Sequence, residues 1–314
     1  MDRRKFLEKA ASTVFATELA TKFGRAAGTS GVATTDAKKR ERLGVCSWSL
    51  HAYFPKTRPK DFKWPGKMLD LREYAGLMAD KYHIHNLELC NSHFESTDAS
   101  YIKDLKASIQ KTHSRVTNMP VDYEGDWKGV GLCDPDDKQF RVEIAERKKW
   151  IDIAAELGAQ SIRPNPGGTT KMTDFSRPIA AYKELGEYGK SKGVKVLIEN
   201  HGNVAAKAEN IVAIIKGAGA KWVGAAPDFG NFPEAERYHG LELMFPYAPV
   251  VCHARCETPG GAEGSSKLIQ FDFARCMKIA QAAGFKGVYS AEFAGDGDPY
   301  EGIQKILDEL VKYL

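Results

Sequence analysis

From Leu43 onward, short runs rich in β-branched residues alternate with longer stretches in which apolar positions recur every three or four residues. The short runs predict strands at Leu43–Ser47, Asn86–Cys90, Val116–Pro120, Ser161–Asn165, Val194–Glu199, Trp222–Asp228, Pro249–His253 and Gly287–Glu292. Among the longer stretches, Met68–Lys81 sets Leu69, Leu71, Tyr74, Leu77 and Met78 on one helical face. Glu143–Leu157, Pro178–Lys190, Ala208–Ile215 and Phe273–Ala283 show the same period, and a last helix over about Pro299–Leu314 closes the chain. Gly158, Gly193 and Gly284 fall where a left-handed residue would end a helix before the next strand. Eight alternating units predict an α/β protein, a single (β/α)8 TIM barrel over residues 43–314. A doubly wound sheet would want a GxGxxG turn after its first strand, and none follows Leu43–Ser47.

Composition narrows the function classes. Hydrophobic residues at 43% and charged residues at 27% exclude a wholly disordered chain. No apolar run reaches the roughly 18 residues of a membrane span. Residues 1–42 carry ten Lys/Arg against five Asp/Glu, a net of +5 out of the chain's +4, which leaves the body at −1. A protein gripping many DNA phosphates normally shows a basic face, so nucleic acid is not the expected partner.

The excess charge belongs to the N-terminus. Arg3-Arg4-Lys5-Phe6-Leu7 followed by the Ala-rich Ala10–Ala16 stretch resembles a twin-arginine export signal. It predicts a signal over residues 1–30, a linker over 31–42 and a periplasmic or secreted protein, cytoplasmic otherwise, with no membrane anchor beyond the signal. Cys46, Cys90, Cys133, Cys252, Cys256 and Cys276 form no CxxC pair and read as small buried side chains rather than a disulfide framework.

Candidate chemistry sits where four consecutive strands end: Glu199, Asp228, His253 and Glu292. Barrel chemistry is built at the C-terminal strand ends. Period-2 alternation turns Val196 and Ile198 toward the helices and Leu197 and Glu199 inward, and places Val251, His253 and Arg255 on one side. Three carboxylates in one mouth repel one another unless a cation neutralises them. With one imidazole they suit one divalent ion: Mn²⁺ foremost, or Mg²⁺, Co²⁺ or Zn²⁺. The competing reading is a salt-bridge network with Arg163, Arg255 or Lys267.

With Leu197-Ile198-Glu199-Asn200-His201, Pro227-Asp228-Phe229-Gly230-Asn231 and Tyr289-Ser290-Ala291-Glu292-Phe293, the quartet resembles the xylose isomerase-like superfamily of sugar phosphate isomerases and epimerases. The resemblance implies that Glu199, Asp228, His253 and Glu292 hold one divalent ion. It also implies that Glu199 and Glu292 exchange a substrate proton through a metal-stabilised enediolate. The expected substrate is a small keto-sugar, cyclitol or related polyol, and the expected reaction isomerisation or epimerisation. A dehydratase or lyase on the same site is the alternative. A non-catalytic carbohydrate-binding barrel and an abasic-site endonuclease rank lower, because the quartet is intact and the first four strands lack further histidine ligands. Ketose epimerases of this superfamily commonly carry His three residues after the Asp ligand, where this chain has Asn231.

Arg255, His201, Glu88, His51, Trp48 and Asn165 are the substrate-binding candidates. Arg255 follows His253 by two residues, and His201 shares a face with Glu199. Glu88 ends strand two and would bind a hydroxyl or orient a ligand, while Trp48, His51 and Phe54 would wall a sugar ring. Arg163 and Asn165 share a parity on strand four. Pro166–Thr170 reads as a plain loop rather than a phosphate cradle, and His83, His85, His93, His113 and His239 as surface or core residues. Metal identity and oligomeric state, a homo-oligomer included, are left open.

Overall fold

All eight predicted strands form in the computed structural model, which describes residues 38–219, 221–259, 268–295 and 297–314. The predicted export signal and most of the linker lie outside these residues. The strands are β1 (Leu43–Cys46), β2 (Asn86–Glu88), β3 (Arg115–Val121), β4 (Ser161–Pro164), β5 (Lys195–Glu199), β6 (Val223–Ala226) and β7 (Val251–Ala254). A hairpin of β8 (Glu257–Pro259) and β9 (Leu268–Gln270) follows, then β10 (Val288–Ala291). The barrel strands are parallel, in the order β6-β5-β4-β3-β2-β1-β10-β7. A parallel bridge between Asp228 and His253 joins the two ends of that order. The result is a nearly closed TIM barrel with helices around it.

The helices are α1 (Leu71–Tyr82), α2 (Ala99–Lys111), the short α3 (Glu124–Trp127), α4 (Asp137–Leu157), α5 (Ser176–Lys192), α6 (Ala208–Ala218), α7 (Glu234–Met244), α8 (Phe273–Ala282) and α9 (Pro299–Val311). Several begin on an aspartate whose carboxylate accepts an otherwise orphaned N–H: Asp70 from Arg72, Asp136 from Gln139, Asp272 from Arg275. Gly158 and Gly193 end α4 and α5 at φ 72° and 76°, as their positions in the sequence predict.

Two full-length helices escape the sequence reading. In α2 the signal was present, since Tyr101, Ile102, Leu105 and Ile109 form a buried stripe. In α7 it is masked by a buried arginine on the core face: the Arg237 guanidinium donates to the Phe229 carbonyl and lies 4.2 Å from the Phe271 ring centroid.

Strands of a parallel barrel are covered on both faces, so nearly every strand residue is buried. The parity expected of β5 and β7 holds. Val196, Ile198, Cys252 and Ala254 join the large apolar core, whereas Leu197, Ala226, Val250 and Val251 form a separate small cluster. That division sends Glu199 and His253 to the same side as Leu197 and Val251, into the barrel.

Candidate metal centre at the barrel mouth

The four strand-end residues converge. Glu199 ends β5, Asp228 lies two residues beyond β6, His253 is in β7 and Glu292 directly follows β10. All four are buried. From His253 Nδ1, Glu199 Oε1 is 3.0 Å away, Glu292 Oε2 3.4 Å and Asp228 Oδ2 3.8 Å.

Neighbouring amides fix these carboxylates. Asn200 Nδ2 donates to the Asp228 carbonyl at 3.0 Å, and the Asp228 N–H donates to Asn200 Oδ1 at 2.8 Å. This reciprocal pair ties the end of β5 to the residue following β6. Asp228 Oδ1 accepts from the N–H groups of Gly230 and Asn231 at 2.6 and 3.0 Å, which leaves Oδ2 to accept from Arg255 Nε, with His253 Nδ1 farther off at 3.8 Å. Asn231 Nδ2 donates to Glu199 Oε1 at 3.0 Å.

Two arginines share the remaining charge. Arg163 lies 2.8 Å by Nε from Glu199 Oε2 and 2.6 Å by Nη1 from Asp122 Oδ1. Arg255 Nε is 2.8 Å from Asp228 Oδ2, and its Nη2 pairs with Glu292. Glu88 Oε2 is 2.9 Å from His253 Nε2. Burial alone raises carboxyl groups. For Glu199 the Arg163 and His253 charges outweigh it and hold the group well below the usual carboxylate range. Arg255 and His253 likewise hold Glu292 below that range. Asp228 goes the other way, raised by burial and then by Glu199 and Glu292 despite Arg255. Burial lowers His253, but Glu88, Glu199 and Glu292 overcome it and push its imidazole well above its ordinary range, the same negative surroundings that would favour a cation at Nδ1 in place of a proton.

The donor set fits a divalent cation. Ligand atoms of Glu199, Asp228 and His253 lie within 4.8 Å of one another, all buried. Glu88 Oε1 is buried with no hydrogen-bond partner among the described residues, and Glu199 Oε2 is held by the Arg163 charge without hydrogen-bond geometry. Oxygen atoms and one imidazole nitrogen suit a hard to borderline ion.

The sequence matches the model of the xylose isomerase-like TIM barrel family over residues 74–313. The chain belongs to that family. Comparison with curated proteins finds no match. Among solved structures, a xylose isomerase-like TIM barrel protein from Mycobacterium smegmatis in complex with magnesium is 15% identical at a TM-score of 0.61, covering 87% of this chain and 97% of the other. A D-psicose 3-epimerase from Clostridium cellulolyticum H10, solved with D-tagatose, is 17% identical at a TM-score of 0.60, covering 86% and 96%. An L-ribulose 3-epimerase is 16% identical at 0.64, covering 86% and 94%. At these identities the likeness is one of fold.

Within this xylose isomerase-like barrel the other predicted residues divide into two groups. His201 and Trp127 form one edge-on aromatic pair, ring centroids 4.8 Å apart, with His201 Nδ1 3.7 Å from Glu199 Oε2. Trp48 and His51 form a second, stacked at 4.9 Å, on the β1 side. Trp48 and Trp127 are 38% and 47% exposed, so both leave ring surface open to a ligand. Glu88, Asn165 and Arg255 are instead buried and engaged. Asn165 Oδ1 accepts from Gly167 N–H at 3.0 Å and its Nδ2 reaches the His201 carbonyl at 3.4 Å, bracing the loop after β4. Gly168 N–H donates to Val130 C=O at 3.1 Å, so neither glycine amide is left for a phosphate. Phe54 is fully buried, stacked on His93 at 4.1 Å rather than lining a wall. Sequence reasoning missed Trp127, Asn118, Asn200 and Asp122. Asn200 had a signal, adjacency to Glu199. The partners of Asn118 and Asp122 lie on other strands.

Proposed function

We propose that the protein is a divalent-metal-dependent isomerase or epimerase of an unphosphorylated keto-sugar or related polyol. The observation that carries this reading is the convergence of Glu199, Asp228 and Glu292 on His253 Nδ1 at the barrel mouth. Glu199, Asp228, His253 and Glu292 would hold the ion, with Mn²⁺ the first choice. The chemistry such an ion supplies when bound is polarisation of a carbonyl, which acidifies the adjacent C–H. Glu199 and Glu292 lie on opposite flanks of the quartet in the strand order, so one would take the substrate proton and the other return it. Return to the opposite face of the same carbon gives an epimer; return to the neighbouring carbon gives an aldose–ketose isomer. Trp48 and Trp127 would pack against the sugar's C–H faces.

His201 favours a second reading. Its Nδ1 has no hydrogen-bond partner among the described residues and lies 3.7 Å from Glu199 Oε2, and in a dehydratase it would donate a proton to the departing hydroxyl. The Arg3-Arg4 motif supports export to the periplasm, which Arg3→Lys/Arg4→Lys should abolish in a cell-fractionation assay.

The test combines metal content by mass spectrometry with ²H exchange from ²H₂O into a panel of keto-sugars, read by NMR. About one divalent ion per chain with exchange in wild type, both lost in His253→Ala, is the expected result; Glu292→Gln should lose the exchange. Metal without exchange, but with loss of water from a polyol, would favour the dehydratase. A wild type that takes up no divalent ion overturns the reading.

A further inference from the structure

We propose that Glu88 is a positioning residue for the centre, holding His253 through Nε2 so that Nδ1 is presented to the three mouth carboxylates. This rests on the metal-dependent reading above. Glu88 is fully buried at the end of β2 and offers no face to a substrate hydroxyl.

A hydrogen-bond chain across the barrel interior fixes it. Ser161 Oγ on β4 donates to Asn118 Oδ1 on β3 at 2.9 Å. Asn118 Nδ2 donates to Glu88 Oε2 at 2.7 Å, and His253 Nε2 on β7 meets the same oxygen at 2.9 Å. All four side chains are buried without exposed surface. The β2–β3 pairing is irregular at this point: Leu87 pairs with Val116 but Glu88 with Asn118, skipping Thr117. An extra residue of this kind re-aims a side chain, and here it sets Asn118 opposite Glu88.

The chemistry follows from donor counting. Four carboxylates surround one imidazole, three measured from Nδ1 and one from Nε2. Glu88 Oε2 already accepts the Asn118 amide hydrogen, so the ring nitrogen facing it carries a hydrogen. Nδ1 is then the nitrogen whose lone pair serves a cation on the side where three carboxylates gather. A carboxylate that accepts the free N–H of a ligating histidine fixes both its tautomer and its ring angle. Glu88 serves this role at a cost, because Oε1 is buried without a hydrogen-bond partner among the described residues.

Zinc affinity of the full chain, measured by competition with a chromophoric chelator, compares wild type with Glu88→Ala and Glu88→Gln after circular dichroism confirms folding. Glu88→Ala should weaken zinc binding about 10–100-fold. Glu88→Gln keeps the shape and an acceptor oxygen but not the charge, and should fall between; it carries the comparison if the alanine variant does not fold. Long-range ¹H–¹⁵N correlation on zinc-loaded, histidine-labelled protein should show His253 protonated at Nε2 in wild type and mixed or broadened in the variants. A merely structural role for Glu88 would lower thermal stability and leave that signature unchanged. Unaltered affinity and tautomer in a folded variant overturn the proposal and leave the metal-dependent reading standing. A wild type that binds neither zinc nor any other divalent ion sinks that reading, and the positioning role with it.

Discussion

Asp228 and His253 face each other across the seam where the barrel closes. The His253 N–H donates to the Pro227 carbonyl at 2.8 Å, and the Phe229 N–H to the His253 carbonyl at 3.1 Å. Their side chains approach to 3.8 Å. Barrel closure and assembly of the candidate metal centre are therefore one structural event.

An ion bound there should stabilise the closed barrel by mass action. A free concentration 100 times the dissociation constant gives about 2.7 kcal/mol. For a barrel of this size that corresponds to a rise of several degrees in unfolding temperature. Differential scanning fluorimetry with Mn²⁺ and then with a chelator should show the rise and its reversal. His253→Ala should unfold at one temperature in both; an equal response in that variant would place the ion elsewhere.

Arg255 is 6% exposed and clamps Asp228 and Glu292. Arg255→Met leaves both carboxylates without that partner, and breaking a buried pair from one side costs about 3–5 kcal/mol. Chemical denaturation of chelator-treated protein should show this loss, with part of it recovered on adding Mn²⁺. A loss below about 1 kcal/mol would mean that Arg255 contributes no more than a surface pair does.

One substitution should act in opposite directions on two helices. A Cβ at Gly76 in α1 meets nothing among the described residues within 4 Å, whereas one at Gly189 in α5 meets the Val194 carbonyl oxygen at 2.3 Å. Helix propensity favours alanine by about 1 kcal/mol at both. Overpacking against fixed backbone costs about 1–3 kcal/mol and wins at Gly189. Gly76→Ala should raise the unfolding temperature and Gly189→Ala lower it; movement in the same direction would show that packing does not decide the sign.

His93 carries a pH dependence. Burial between Trp48 and Phe54 pushes its imidazole down to about 3 from an ordinary 6.5. Between those values the unfolded chain binds the extra proton, so this contribution is full above about pH 6.5 and is lost as pH falls toward 3. The difference in unfolding free energy between wild type and His93→Phe should change with a slope approaching about 1.4 kcal/mol per pH unit inside that window. A flat difference would show that His93 titrates alike in both states.

Much of this was legible in the sequence because short-range rules govern it. Strand positions, helix ends at Gly158 and Gly193, and the inward parity of Glu199 and His253 follow from periodicity and local backbone preference. The sequence by itself therefore determined a barrel with four ligand-type residues at four successive strand ends. Their partners are a different matter, since a hydrogen bond between strands depends on register that no single segment encodes. Glu88 reads along the chain as a mouth residue. The irregular β2–β3 register places it against Asn118, and the seam brings His253 above it. Arg255 likewise follows His253 by two residues and reads as a substrate contact, yet its guanidinium meets Asp228 and Glu292 from two other strand ends. Only the tertiary structure decided which carboxylate meets which cation, because burial removes water and makes every buried charge take whatever opposite charge the closed barrel brings within reach.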